Sequence, residues 1–237
     1  MKNVFENVEG IKKRTATVFF LIDQSGSMSG TKIGSVNHAM GETIPEMCKL
    51  VEDNADANLD IAVLLFSNGA NWMTPKPVHI EDFHWNNIDA LAVTDLGYAL
   101  KQLNQKLSRK DDGFMKDASE SFAPAFILMS DGQPTDEYKK HLEALNHNGW
   151  FKHGTKTAIA IGNDADKNML AEFTGSSEAV IEVHNAEDLA KVIKFVSITS
   201  SQIVTSASSA TMASRLDPDA TPIITVPDDM LDNYDEF

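Results

Sequence analysis

Several short runs rich in apolar, β-branched and aromatic residues punctuate the chain: 15–22 (TATVFFLI), 60–67 (DIAVLLFS), 125–129 (AFILM) and 155–161 (TKTAIAI). Near-continuous apolarity over so few residues marks a strand covered on both faces, where alternation would mark one wet face. Between these runs the period lengthens. Residues 32–51 place Ile33, Val36, Ala39, Met40, Met47 and Leu50 at helical spacing, with Pro45 a candidate kink. Residues 95–107 carry Leu96, Leu100, Leu103 and Leu107 on one face, and further helices are predicted over 135–148, closed by Gly149, over 166–173 and over 186–204. A last strand is predicted at 179–183, and the polar interval 108–121 reads as a loop. The segment 72–80 is interrupted by Pro75 and Pro77, which cannot donate to a central ladder, so it belongs on an edge or in a hairpin arm. Buried strands alternating with helices predict an α/β fold: a doubly wound, Rossmann-like, mostly parallel central sheet with one antiparallel edge strand and helices on both faces.

Composition divides the chain further. Residues 1–14 read as a lead-in and 15–205 as one domain; 206–237 form a tail, first rich in Ser and Thr, then acidic with no Lys or Arg from Asp217 on. Such a tail has little to bury and is expected to be mobile or docked. No apolar run approaches the roughly 18 residues that cross a bilayer, and the first residues carry no apolar stretch with a cleavage site, which predicts a cytoplasmic protein without a membrane span. The lone Cys48 forbids an internal disulfide and reads as a small buried group on a helix. A formal net charge of −15 argues against nucleic acid and anionic lipid as partners, since both are bound by neutralising phosphates.

In an open parallel sheet ligands bind beyond the carboxyl ends of the strands, near a reversal of strand order. Two predicted strands end in acidic and hydroxyl residues, Asp23-Gln24-Ser25-Gly26-Ser27 and Ser130-Asp131-Gly132, and Thr94-Asp95 opens a helix between them. Carboxylates and hydroxyls suit a hard divalent cation such as Mg²⁺, which prefers oxygen and keeps several waters; Mn²⁺ and Ca²⁺ suit the same set. The Asp-x-Ser-x-Ser spacing lets one loop turn a carboxylate and two hydroxyls inward, with Gly26 free to take an unusual backbone angle. Thr94 and Asp131 would complete the shell, leaving a vertex for an outside oxygen. Thr94 also suits a helix N-cap, Asp95 suits the positive end of the helix dipole, and Gln24, Met28 and Asp136 are either rim or plain loop surface.

These residues resemble a von Willebrand factor A-type domain with its metal-ion-dependent adhesion site, over about residues 15–204. The resemblance implies metal ligands at Asp23, Ser25, Ser27, Thr94 and Asp131 and, at the open vertex, a carboxylate from a protein partner, hence recognition rather than turnover. Through the Asp23 loop, Thr94-Asp95-Leu96-Gly97-Tyr98-Ala99-Leu100, Met129-Ser130-Asp131-Gly132-Gln133-Pro134-Thr135-Asp136 and Phe195-Val196-Ser197, the chain is similar to bacterial tellurium-resistance proteins of the TerY type. That similarity implies a stress-response setting shared with a protein kinase and a phosphatase. The competing reading is a Mg²⁺-dependent phosphohydrolase with Asp23 as nucleophile, although Ser25 stands where such enzymes commonly place a second acid. The seven histidines lack paired metal-ligand spacing, Trp72, Trp85 and Trp150 lack the basic surroundings of a base-stacking platform, and Gly26–Lys32 lacks the phosphate-loop spacing.

Overall fold

The computed structural model describes residues 14–52, 57–91, 93–115, 121–132, 134–205, 222–227 and 230–231; the lead-in up to residue 13 and most of the tail lie outside these. In chain order the elements are β1 (Arg14–Asp23), α1 (Thr31–Glu52), β2 (Ala57–Ser67), β3 (Gly69–Trp72), β4 (Val78–His79), α2 (Leu96–Lys106), β5 (Ala125–Ser130), α3 (Tyr138–Asn146), α4 (Gly149–Lys152), β6 (Thr155–Ile161), α5 (Lys167–Thr174), β7 (Val180–Val183) and α6 (Ala186–Thr205). The sheet runs β3-β2-β1-β5-β6-β7, parallel from β2 to β7, with β3 and β4 both antiparallel to β2. Chain order moves outward in one direction from β1 to β2 and in the other from β5 to β7. The reversal therefore falls between β1 and β5.

The pleat explains why these strands are apolar throughout. Val18, Phe20 and Ile22 of β1 join a core with α1 and α6 on one face, while Phe19 and Leu21 join a second core with α2, α3 and α5 on the other. Both faces are dry, so residues of both parities are mainly apolar, and the buried polar ones within the strands, such as Thr17 and Thr157, are small. Across the second face runs a row of rings. Phe19 meets Trp72 edge-on at 6.3 Å and stacks on Phe126 at 5.3 Å; Phe126 meets Phe151 at 4.9 Å, and Phe151 meets Phe173 at 5.3 Å.

Three local expectations change. The edge over 72–80 is two short pieces, β3 and β4, with both prolines between them, because each proline removes a ladder donor. The helix predicted over 135–148 begins later, at Tyr138, because Thr135 and Asp136 are held by hydrogen bonds to the Thr94 carbonyl and to α2. It also breaks at Asn148, whose side chain accepts from the Trp150 N–H and starts α4, so Gly149 opens a helix instead of closing one. Cys48 is half-buried on α1 rather than fully buried. From the tail, Ile224 is only 2% exposed and joins the α1 and α6 core, with Val226 and Leu231 packed against it. Among the described residues no helix is long and apolar enough to cross a membrane.

The ring row depends on a missing side chain. A Cβ on Gly154 would stand 2.5 Å from Phe126 Cε2 and 2.8 Å from the Pro124 carbonyl oxygen. Gly154→Ala must push Phe126 off both ring neighbours, and the expected loss is about 1–3 kcal/mol of stability, read as a lower urea midpoint at unchanged slope. An unchanged midpoint would show that the row yields without cost.

Candidate functional site

The carboxyl ends of β1 and β5 flank the reversal of strand order, where open sheets place their ligands. Ile22 pairs with Met129, so the next residues, Asp23 and Ser130, stand side by side. Asp23 has no exposed surface. Its Oδ1 accepts from the Ser25 N–H at 2.8 Å, closing the loop on itself, and its Oδ2 accepts from Ser130 Oγ at 2.6 Å. A one-turn 3-10 helix, Gly26–Met28, follows, and Met28 is buried in the α1 core, which anchors the loop from beneath. Gly26 does not supply the unusual backbone angle expected of it. Gly30 does, with φ +76°, where the loop turns into α1.

Ser27 links the two acidic strand ends. Its Oγ lies 3.0 Å from Ser25 Oγ and donates to Asp131 Oδ1 at 2.7 Å. Asp131 is likewise fully buried, and its Oδ2 accepts from Lys32 Nζ at 2.6 Å. Thr94 arrives on the third loop. The Asp95 N–H donates to the Ser67 carbonyl at 2.8 Å, Asp95 Oδ2 accepts from the Gly69 N–H at 2.8 Å, and the Thr94 carbonyl accepts from both the N–H and the hydroxyl of Thr135 at 2.9 Å. A point one Cβ bond from Gly132 lies 3.6 Å from Asp23 Oδ2, 3.6 Å from Ser27 Oγ and 3.7 Å from Thr94 Oγ1. Oxygens from two loops and the Gly132 backbone of a third thus surround one small space, with Ser25 and Asp131 hydrogen-bonded to Ser27 beside it. All five residues singled out in the sequence meet there. Four are buried and Ser27 is exposed, so the space opens to solvent on the Ser27 side.

Electrostatically the site is demanding. Burial pushes the Asp23 carboxyl above its ordinary value, opposed by the Ser130 hydroxyl and by Ser25, while the charge of Asp131 pushes in the same direction as burial. A bound cation would relieve both carboxylates. The donor set is all oxygen, two carboxylates and three hydroxyls, and among the described residues no group of three or more His, Cys, Asp or Glu could hold a metal. This chemistry fits a hard divalent ion and not a soft one.

Several neighbours have roles that differ from the expectation. Thr94 is not the N-cap of α2; Asp95 holds that position but spends its carboxylate on Gly69. The end of α2 is instead capped from outside by Asp136, which accepts from the N–H groups of Gly97 at 2.9 Å and Tyr98 at 3.0 Å. Gln24 is buried and ties the loop before Thr94, donating to the Asp89 carbonyl at 2.9 Å and accepting from the Leu91 N–H at 2.6 Å. Met28 is core. Sequence reasoning placed Ser130 in the cluster after β5 without its bond to Asp23, and missed Lys32 altogether. For Lys32 a signal existed, since a cation in the first turn of a helix opposes the dipole.

Comparison with known proteins places this geometry in context. The model of the von Willebrand factor type A domain family matches residues 17–195. The human collagen alpha-6(VI) chain is 37% identical over 68 residues, 29% of this chain and 3% of the collagen. Among solved structures, the fold resembles proximal thread matrix protein 1 from the mussel byssus with a zinc-occupied MIDAS motif (TM-score 0.56, 18% identity, 78% of this chain and 48% of that one). It also resembles a von Willebrand factor type A protein from Catenulispora acidiphila (TM-score 0.57, 18% identity, 80% and 43%) and the pilus adhesin SpaC from Lactobacillus rhamnosus GG in its open conformation (TM-score 0.60, 12% identity, 82% and 31%). The chain spans less than half the length of each of these relatives. With most of the domain matched, the sheet order as described and the three loops converging at its centre, the chain belongs to the von Willebrand factor type A domain family.

Proposed function

We propose that this domain is a non-catalytic, metal-dependent protein-binding module. Asp23, Ser25, Ser27, Thr94 and Asp131 would hold one divalent cation, Mg²⁺ or alternatively Mn²⁺ or Ca²⁺, and the cation would offer a coordination position to a carboxylate of the partner. The observation that carries this reading is the meeting of Asp23 Oδ2, Ser27 Oγ and Thr94 Oγ1 around a single point. The zinc-occupied motif of the mussel protein supports it by fold alone.

The surroundings suit a protein partner. Among the described residues four large apolar side chains are exposed, and three of them, Leu91 (56%), Val93 (41%) and Tyr98 (42%), bracket Thr94. An apolar margin beside a charged centre is how protein contact surfaces are built. The partner would therefore present a carboxylate next to apolar side chains. The finer resemblance to TerY-type proteins supports a cytoplasmic role in bacterial tellurium resistance or stress response, with a protein kinase and a phosphatase as the assembled partners.

The phosphohydrolase reading is disfavoured at Ser25, which stands where such enzymes commonly place a second acid and whose hydroxyl lies 3.0 Å from Ser27 Oγ.

Two outcomes test the module. Saturating Mg²⁺ should raise the melting temperature of the wild-type protein, by an amount equivalent to about 2.7 kcal/mol at a hundred times the dissociation constant. Asp23→Ala should abolish that rise while the far-ultraviolet circular dichroism is retained; an equal rise in the variant would remove Asp23 from the site. Leu91→Asp and Tyr98→Asp should weaken cation-dependent capture of a partner by about tenfold each while leaving the Mg²⁺-induced rise intact. Capture insensitive to both would place the partner elsewhere.

A further inference from the structure

Lys32 stands among the five oxygen donors without being one of them. It extends from the first turn of α1 and is the one cation that bonds the site's carboxylates among the contacts described, with Nζ 2.6 Å from Asp131 Oδ2 and its side chain only 14% exposed. Its second acidic neighbour, Asp164 Oδ1, is 3.8 Å away on a side chain that is 74% exposed, too solvated to compete with buried Asp131. The ammonium is also seated by its surroundings. Gly162, with φ +88°, turns the chain after β6 so closely that a Cβ there would lie 3.1 Å from Lys32 Nζ and 3.3 Å from its Cε. A lysine held this way opposes the α1 dipole and loses side-chain freedom, so a compensating interaction is required.

That compensation is Asp131. Ser27 Oγ occupies one of its carboxylate oxygens and Lys32 the other, which fixes the plane of the carboxylate whether or not a cation is present. On the reading of the site as a metal centre, we propose that Lys32 is a built-in counter-cation: it neutralises and orients Asp131 in the metal-free protein and, as a like charge beside the cation, holds metal affinity down. Lys32 is then a positioning residue that makes occupancy reversible. With it, the empty site contains a paired carboxylate and a closed fold. Without it, two buried carboxylates face each other with only hydroxyl and N–H donors, and a dication becomes their sole source of positive charge.

The role makes two linked demands of Lys32→Met, a variant of similar length with no charge. In EDTA its melting temperature should fall below that of the wild type, because Asp131 loses its partner. Calorimetric titration with Mg²⁺ should at the same time give a dissociation constant at least about tenfold smaller, because a repelling charge has gone. Lys32→Gln, which keeps a hydrogen-bond donor but no charge, should bind Mg²⁺ more tightly in the same way even if Lys32→Met does not fold without metal, and Lys32→Arg should stay near the wild type. A purely structural lysine would lower stability and leave the Mg²⁺ dissociation constant unchanged or larger in both neutral variants, which overturns this role alone. No heat with Mg²⁺, Mn²⁺ or Ca²⁺ in the wild type or either variant would overturn the metal reading and this one with it.

Discussion

Two carboxylates without exposed surface stand at the ends of neighbouring central strands, and the architecture around them follows from keeping that arrangement tolerable. Burial raises the cost of ionising Asp23, and the charge of Asp131 adds to it. Among the described residues, hydrogen bonds satisfy both buried carboxylates: the Ser25 N–H and the Ser130 hydroxyl donate to Asp23, the Ser27 hydroxyl and the Lys32 ammonium to Asp131. The pair cannot be separated without changing the topology. The reversal of strand order sets β1 beside β5, so whatever residues end those strands become neighbours.

Precision at the site comes from the way the loops are tied to one another and not only to the sheet. Gln24 holds the strand of chain before Thr94, Asp95 is pinned to the turn between β2 and β3, and Thr135 grips the Thr94 carbonyl. Asp136 then caps α2, so the loop after β5 also sets the start of the helix that follows Thr94. A displacement of one loop is resisted by the other two, which is the preorganisation that close oxygen donors require. Beneath them, close-packed side chains on both faces of the sheet leave the strand ends little freedom to move.

The margin of the site is uneven, with exposed apolar residues around Thr94 on one side and Lys32 and Asp164 on the other. The whole chain carries a formal charge of −15, so a partner's carboxylate would meet repulsion before contact unless a cation stood at the centre. On the proposed function, occupancy of the site and recognition of the partner are therefore coupled by charge alone, with no conformational change required.

Periodicity within single elements was legible because it is a local property. Largely apolar runs over 15–22, 60–67, 125–129 and 155–161 lie in the four longest described strands of the doubly covered sheet, and the acidic and hydroxyl residues after the first and third pointed to the strand ends as a candidate site. What the sequence by itself determined was thus the class of fold, the family, and which oxygen-bearing side chains, Asp23, Ser25, Ser27, Thr94 and Asp131, were candidates for the strand-end cluster. Tertiary structure decided how those oxygens are held: the hydroxyl of Ser130 on Asp23, the ammonium of Lys32 on Asp131, the capping role of Asp136 and the broken helix at Asn148. The bonds that govern the site join residues 99 to 107 positions apart, and no local period or spacing encodes a contact that exists only after the sheet has brought two strand ends together.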